Sequence, residues 1–139
     1  MNASFEEKSV WIQLGAMVLG LGTYFVIAVG MLAAGQRDMS AFAALFIVSV
    51  GAMILLMSVA YALVLFAGKP EGRDERDRLI AWKSEHRSSW IIAAGVLGAV
   101  SCMTLGVENV WTANLLLLSL MVSEVAGFVL QIVYYRRGV

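Results

Sequence analysis

Polar and apolar residues fall in long blocks along this chain. Four runs, at 10–34, 41–67, 90–107 and 110–135, carry almost no charge, and one polar stretch, 68–89, separates the second from the third. A hydrocarbon core of about 30 Å is crossed by about 20 helical residues. The first, second and fourth runs exceed that length, and the third is shorter, which softens its boundaries. Strands of a membrane barrel would alternate in units of about ten residues, and these runs do not. The pattern predicts an all-α fold: an antiparallel, up-down four-helix bundle in a membrane, one domain over 1–139. The first run is longer than the apolar part of a cleaved leader and lacks a small-x-small cleavage pattern, so it is expected to be a span.

Composition agrees. Of 139 residues, 60% are hydrophobic and 14% charged, against about 25% charged in a soluble domain. Ten acids and ten bases cancel, and no nucleic-acid partner is expected. Cys102 is the single cysteine, so no internal disulfide or cysteine metal cluster can form. Met53 and Met57 lie one turn apart and Met103 follows Cys102. Such soft ligands suit Cu(I), yet methionine commonly fills gaps in apolar packing, and no metal is expected. No Gly-rich phosphate loop, paired catalytic carboxylates or nucleophile triad is visible. Neither an enzyme nor a cofactor is expected.

Four spans place both termini and the central stretch on one side. That side holds Lys8, Lys69, Arg73, Arg76, Arg78, Lys83, Arg87, Arg136 and Arg137, and the other holds only Arg37. The asymmetry puts both termini in the cytoplasm. Trp11, Trp90, Trp111, Tyr134 and Tyr135 lie at span ends, where amphipathic rings favour the interface. The connections 35–40 and 106–109 are short and force antiparallel neighbours. No external domain can sit on them.

The stretch 68–89 opens on the breaker cluster Gly68-Lys69-Pro70-Glu71-Gly72. The pairs Asp74/Arg78 and Arg73/Asp77 are four apart and meet on a helix. Leu79, Trp82 and His86 recur at helical spacing. A helix is predicted from about Asp74 into the third span. Arg73, Asp74, Glu75, Arg76, Asp77, Arg78, Trp82 and His86 are the candidate surface for a cytoplasmic protein partner or anionic lipid. The competing reading is a solvated, self-neutralised helix that fixes topology, since 68–89 carries six bases and five acids. His86 is the only histidine. Its unperturbed pKa near 6.5 suits pH sensing, while an interfacial histidine is the simpler reading.

The run Asp74-Glu75-Arg76-Asp77-Arg78-Leu79-Ile80 ahead of a span opened by Trp90 resembles an uncharacterised family of small prokaryotic four-helix membrane proteins. That family carries an Asp-Glu-Arg-Asp core in its middle cytoplasmic loop. The resemblance covers mainly residues 74–90 and the four-span layout. It implies this fold in a bacterial or archaeal cytoplasmic membrane, and it implies no activity.

Glu124 lies inside the fourth run. A carboxyl at the centre of a membrane helix costs about 2.5–3.5 kcal/mol on insertion scales, so it marks a candidate functional site. Eleven residues separate it from Tyr135, which is about 16 Å of helix. Counting equal depths on the other spans brings Thr23, Ser58, Tyr61 and Ser101 to its level. A shared polar layer of these five residues is predicted. Burial in low dielectric favours the neutral acid. Gln131 and Gln13 are expected to meet near the rim. The layer suits proton or cation coupling, or a neutral acid that ties helices together.

Ser119/Ser123/Gly127, Ala94/Gly98/Cys102 and Ala16/Gly20 repeat at four-residue spacing, which lets helix backbones approach within the bundle or across a homodimer. Lys8-Ser9-Val10-Trp11-Ile12 resembles Arg87-Ser88-Ser89-Trp90-Ile91. This hints at a duplicated hairpin, although any membrane boundary selects such residues. Two functions remain open. One is a sensor, regulator or accessory subunit acting through the charged helix. The other is a small proton- or cation-coupled transporter using Glu124. Small multidrug transporters share the size, but their essential acid lies on the first span.

Overall fold

The computed structural model describes residues 5–67 and 74–137. Four helices follow in chain order: α1 (Phe5–Ala33), α2 (Met39–Ala67), α3 (Glu75–Thr104) and α4 (Asn109–Arg137). No strand occurs among the described residues. All four helices are long and apolar enough to cross a bilayer. The chain is an all-α, multi-pass membrane protein of antiparallel helices.

The short turns explain the hairpins. Gly35 and Gly106 take φ of 83° and 72°, a left-handed conformation that glycine adopts without a Cβ penalty. After α1, the Gly35 and Gln36 N–H groups donate to the Leu32 and Met31 carbonyls. After α3, Gly106 and Val107 donate to Met103 and Cys102. Both are Schellman closures, which satisfy the last carbonyls of a helix. Asp38 caps α2, accepting from the Ser40 N–H at 3.1 Å. The Ser40 hydroxyl and N–H hold the Asp38 carboxyl below the usual carboxylate range.

α3 begins as the spacing predicts. Asp74 is its N-cap, and a capping box pairs it with Asp77. The Asp77 carboxylate accepts the Asp74 N–H at 3.1 Å, and Asp74 accepts the Glu75 N–H at 2.7 Å. These two acids therefore serve the helix start. Arg73 and the breaker cluster lie outside the described residues.

Ion pairs tie each end of the molecule. Arg37 meets Glu108 at 3.3 Å and lies 5.3 Å over the Trp111 ring, so the two short loops share one end. Arg136 meets Glu7 at 3.6 Å and lies 5.7 Å over Trp11, so the helix ends nearest the termini share the other.

The helices form an open layer in the order α2, α1, α4, α3. α1 packs on α2 and α4, and α4 packs most extensively on α3. α3 forms no substantial interface with α1 or α2. The central pair, α1 and α4, is the more buried. Tyr24, Ala28, Phe42 and Val110 form the tightest apolar cluster. Inside it the Tyr24 hydroxyl donates to Asn114 Oδ1 at 2.9 Å, and the Asn114 amide donates to the Val110 carbonyl.

Close approaches fix the α3–α4 register. A Cβ on Gly95 would collide with the Ser119 side chain, one on Gly98 would meet Leu115, and one on Gly127 would meet Ser88 Oγ. The Ser123 hydroxyl donates to the Ser88 carbonyl at 3.0 Å. The α4 stripe Ser119, Ser123, Gly127 thus packs against α3 within the chain. On α3 the partners are Ser88, Gly95 and Gly98. Ala94 of the expected stripe is exposed.

This register moves the polar stretch. From Trp111 to Glu124 is thirteen residues, about 20 Å of helix. A core of about 30 Å measured from Trp111 reaches about Gln131, one turn beyond Gly127 and so level with about Ser84. Residues 84–89, read from sequence as lying beyond the span, run beside the apolar inner part of α4. Trp90 lies level with Glu124, and Trp82 stands nearer the boundary.

Candidate functional site: a polar groove between α3 and α4

Small residues open this groove. Because Gly127 has no side chain and Ser123 and Ser88 are short, α3 and α4 approach closely at their contact line. Larger polar groups stand to one side of it. Glu85, Ser88, Ser89 and Ile92 from α3 and Ser123, Glu124, Gly127, Phe128 and Gln131 from α4 line a cavity of about 280 Å³. Residues 85, 88, 89 and 92 share one helical flank, as do 124, 127, 128 and 131. The cavity runs from Glu85 and Gln131 near the rim to Glu124 about two turns, or about 10 Å, inside it.

The hydroxyls are committed. Ser123 donates to the Ser88 carbonyl, Ser88 to the Glu85 carbonyl at 3.3 Å, and Ser89 to the His86 carbonyl at 3.1 Å. The Glu124 carboxyl is exposed and has no hydrogen-bond or ion-pair partner among the described residues. It shares the cavity with a second carboxyl, Glu85. By the register, Glu85 stands about 9 Å nearer the rim than Glu124, so the two carboxyls mark opposite ends of the groove.

The expected polar layer does not assemble. Thr23 donates to the Leu19 carbonyl at 2.6 Å, Ser58 to Ile54 at 2.8 Å and Ser101 to Leu97 at 2.9 Å. Each hydroxyl is satisfied on its own helix, as Ser and Thr often are. Thr23 lines a separate, mainly apolar cavity between α1 and α2. Tyr61 packs edge-on against Phe5, with centroids 6.1 Å apart. Equal-depth counting took Trp90 as the start of the third span. The register places Ser88 and Ser89 at the level of Glu124, with Ser101 well toward the other end. The Gln13–Gln131 pair is not formed either. Gln13 donates to Ser9 at 3.1 Å, while Gln131 lines the groove.

On α3, Ile80, Ser84 and Ser88 are buried, while Glu75, Arg76, Arg78, Leu79, Trp82 and His86 are exposed. Trp82 and His86 stack face to face, 5.6 Å apart at 10°. Met53 packs against Gly20 so closely that a Cβ added to the glycine would lie 2.7 Å from the Met53 Cβ. The groove residues Glu85, Ser88 and Ser89 escaped sequence reasoning. Their one signal was spacing, at i, i+3 and i+4, on a stretch that looked aqueous.

No family model matches this chain, and no curated protein sequence or solved structure matches it significantly.

Proposed function

We propose that this is a small proton- or cation-coupled membrane protein in which Glu124 is the coupling group. The observation that carries the reading is the unpartnered Glu124 carboxyl about 10 Å inside the rim, in a polar groove that continues to Glu85 and Gln131. An intramembrane acid without a partner is expensive unless it is neutral or reached by water or a cation. The groove supplies such a route from one side. Nine of the ten bases lie on that side, which supports a cytoplasmic orientation for both termini. The Asp-Glu-Arg-Asp resemblance supports a bacterial or archaeal cytoplasmic membrane.

The test is proton movement in liposomes holding a pH-sensitive dye, driven by an imposed sodium or potassium gradient. Wild-type protein should shift the internal pH, Glu124→Gln should abolish the shift, and Glu85→Gln should slow it. Equal flux from wild type and Glu124→Gln would exclude Glu124 as the coupling group.

A second reading is a sensor, regulator or accessory subunit that docks through α3 and carries out no transport. It is supported by the exposed Trp82–His86 stack beside Leu79. Photo-crosslinkers at Leu79 and Trp82 should then trap a protein partner in native membranes.

A further inference from the structure

Lys83 and Arg87 lie one turn apart on α3 and both reach Tyr134 on α4. The Lys83 Nζ is 5.3 Å and the Arg87 Cζ 5.9 Å from the ring centroid. Neither has an ion-pair partner among the described residues. Glu85, between them in sequence, is on the opposite flank in the groove with Glu124. Lys83 and Arg87 therefore stand on one flank of α3 and Glu85 on the other. Arg76 falls on the basic flank by helical spacing, about two turns beyond Lys83.

Depth decides what answers this charge. Ser88 lies beside Gly127, so the Arg87 backbone is about two turns inward of Tyr134. Side chains on a helix lean toward its N-terminus, which for α3 is the end where Tyr134 lies. Arg87 thus runs from acyl depth, and Lys83 from the edge of the core, toward the headgroup layer, as long cationic side chains do near helix ends. The abundant anion at that level is lipid phosphate. We propose that Lys83 and Arg87, held over the Tyr134 ring, bind the phosphate of an anionic phospholipid in the leaflet nearest the chain termini. The Tyr134 hydroxyl is buried, so it is the ring that serves the site, by positioning the two cations.

The experiment uses the full chain, purified in mild detergent and titrated with phosphatidylglycerol or phosphatidylcholine, with bound lipid counted by native mass spectrometry. Each base near an anionic surface is worth about five-fold in affinity. Lys83→Gln and Arg87→Gln should each weaken phosphatidylglycerol binding about five-fold, and the double variant should no longer prefer it to phosphatidylcholine. Lys83→Arg/Arg87→Lys and Tyr134→Phe should retain the preference, and circular dichroism should show unchanged helicity throughout. Arg76→Gln, beyond headgroup reach, should have little effect. A double Gln variant that stays folded and keeps the preference overturns the proposal. Displacement of the lipid by millimolar inorganic phosphate also overturns it, because the site would then be one for a free anion.

Discussion

At Gly95 the α3 backbone comes so near Ser119 that no Cβ fits between them. Three residues on, a Cβ at Gly98 would meet Leu115 Cδ2 at 3.6 Å, an ordinary contact. The two glycines look alike in sequence and differ in what faces them. Gly95→Ala should lower stability by about 1–3 kcal/mol through overpacking, while Gly98→Ala should be close to neutral. Unfolding in mixed micelles of increasing SDS fraction measures both, and equal losses would refute the assigned register. The same close approach sets the groove, since it aligns Ser88 with Ser123 and leaves Glu124 and Glu85 lining one cavity.

Among the elements, α3 departs furthest from its sequence reading. Its start was legible because the breaker cluster 68–72 precedes the four-apart pairs Asp74/Arg78 and Arg73/Asp77, and the structure adds the capping box of Asp74 with Asp77. Removing such a cap costs about 1 kcal/mol. Asp74→Ala should therefore raise hydrogen exchange at the amides of residues 75–78, with little change beyond residue 90. Unchanged exchange there would mean the cap is idle. The depth of α3 was not legible. Tryptophan marks an interface only statistically, and both Trp82 and Trp90 are eligible. Packing against α4 decides between them, because it buries Ile80, Ser84 and Ser88 along one line.

For the whole molecule, the open order α2, α1, α4, α3 leaves the first and last members of the layer apart. Ser58 on α2 and Ser101 on α3, expected to share a layer, are both exposed and bonded to their own helices. In a Cys102→Ser background, Arg37→Cys/Glu108→Cys should cross-link within one chain with a short bifunctional thiol reagent. Ser58→Cys/Ser101→Cys should not. Efficient intramolecular cross-linking of the second pair at high dilution in detergent would show a closed bundle in place of the open layer.

Hydropathy blocks, two short connections and the breaker cluster before Asp74 determined that this chain is four antiparallel membrane helices. Those signals are local, set by transfer free energy and by hydrogen bonds within a few residues. Tertiary structure alone decided which residues meet Glu124. A helix can slide along its neighbour by one turn without changing its own hydropathy, so depth counted from span ends does not fix register. The small residues at Ser88, Gly95, Ser119, Ser123 and Gly127 do fix it, through contacts that exist only once α3 and α4 are side by side.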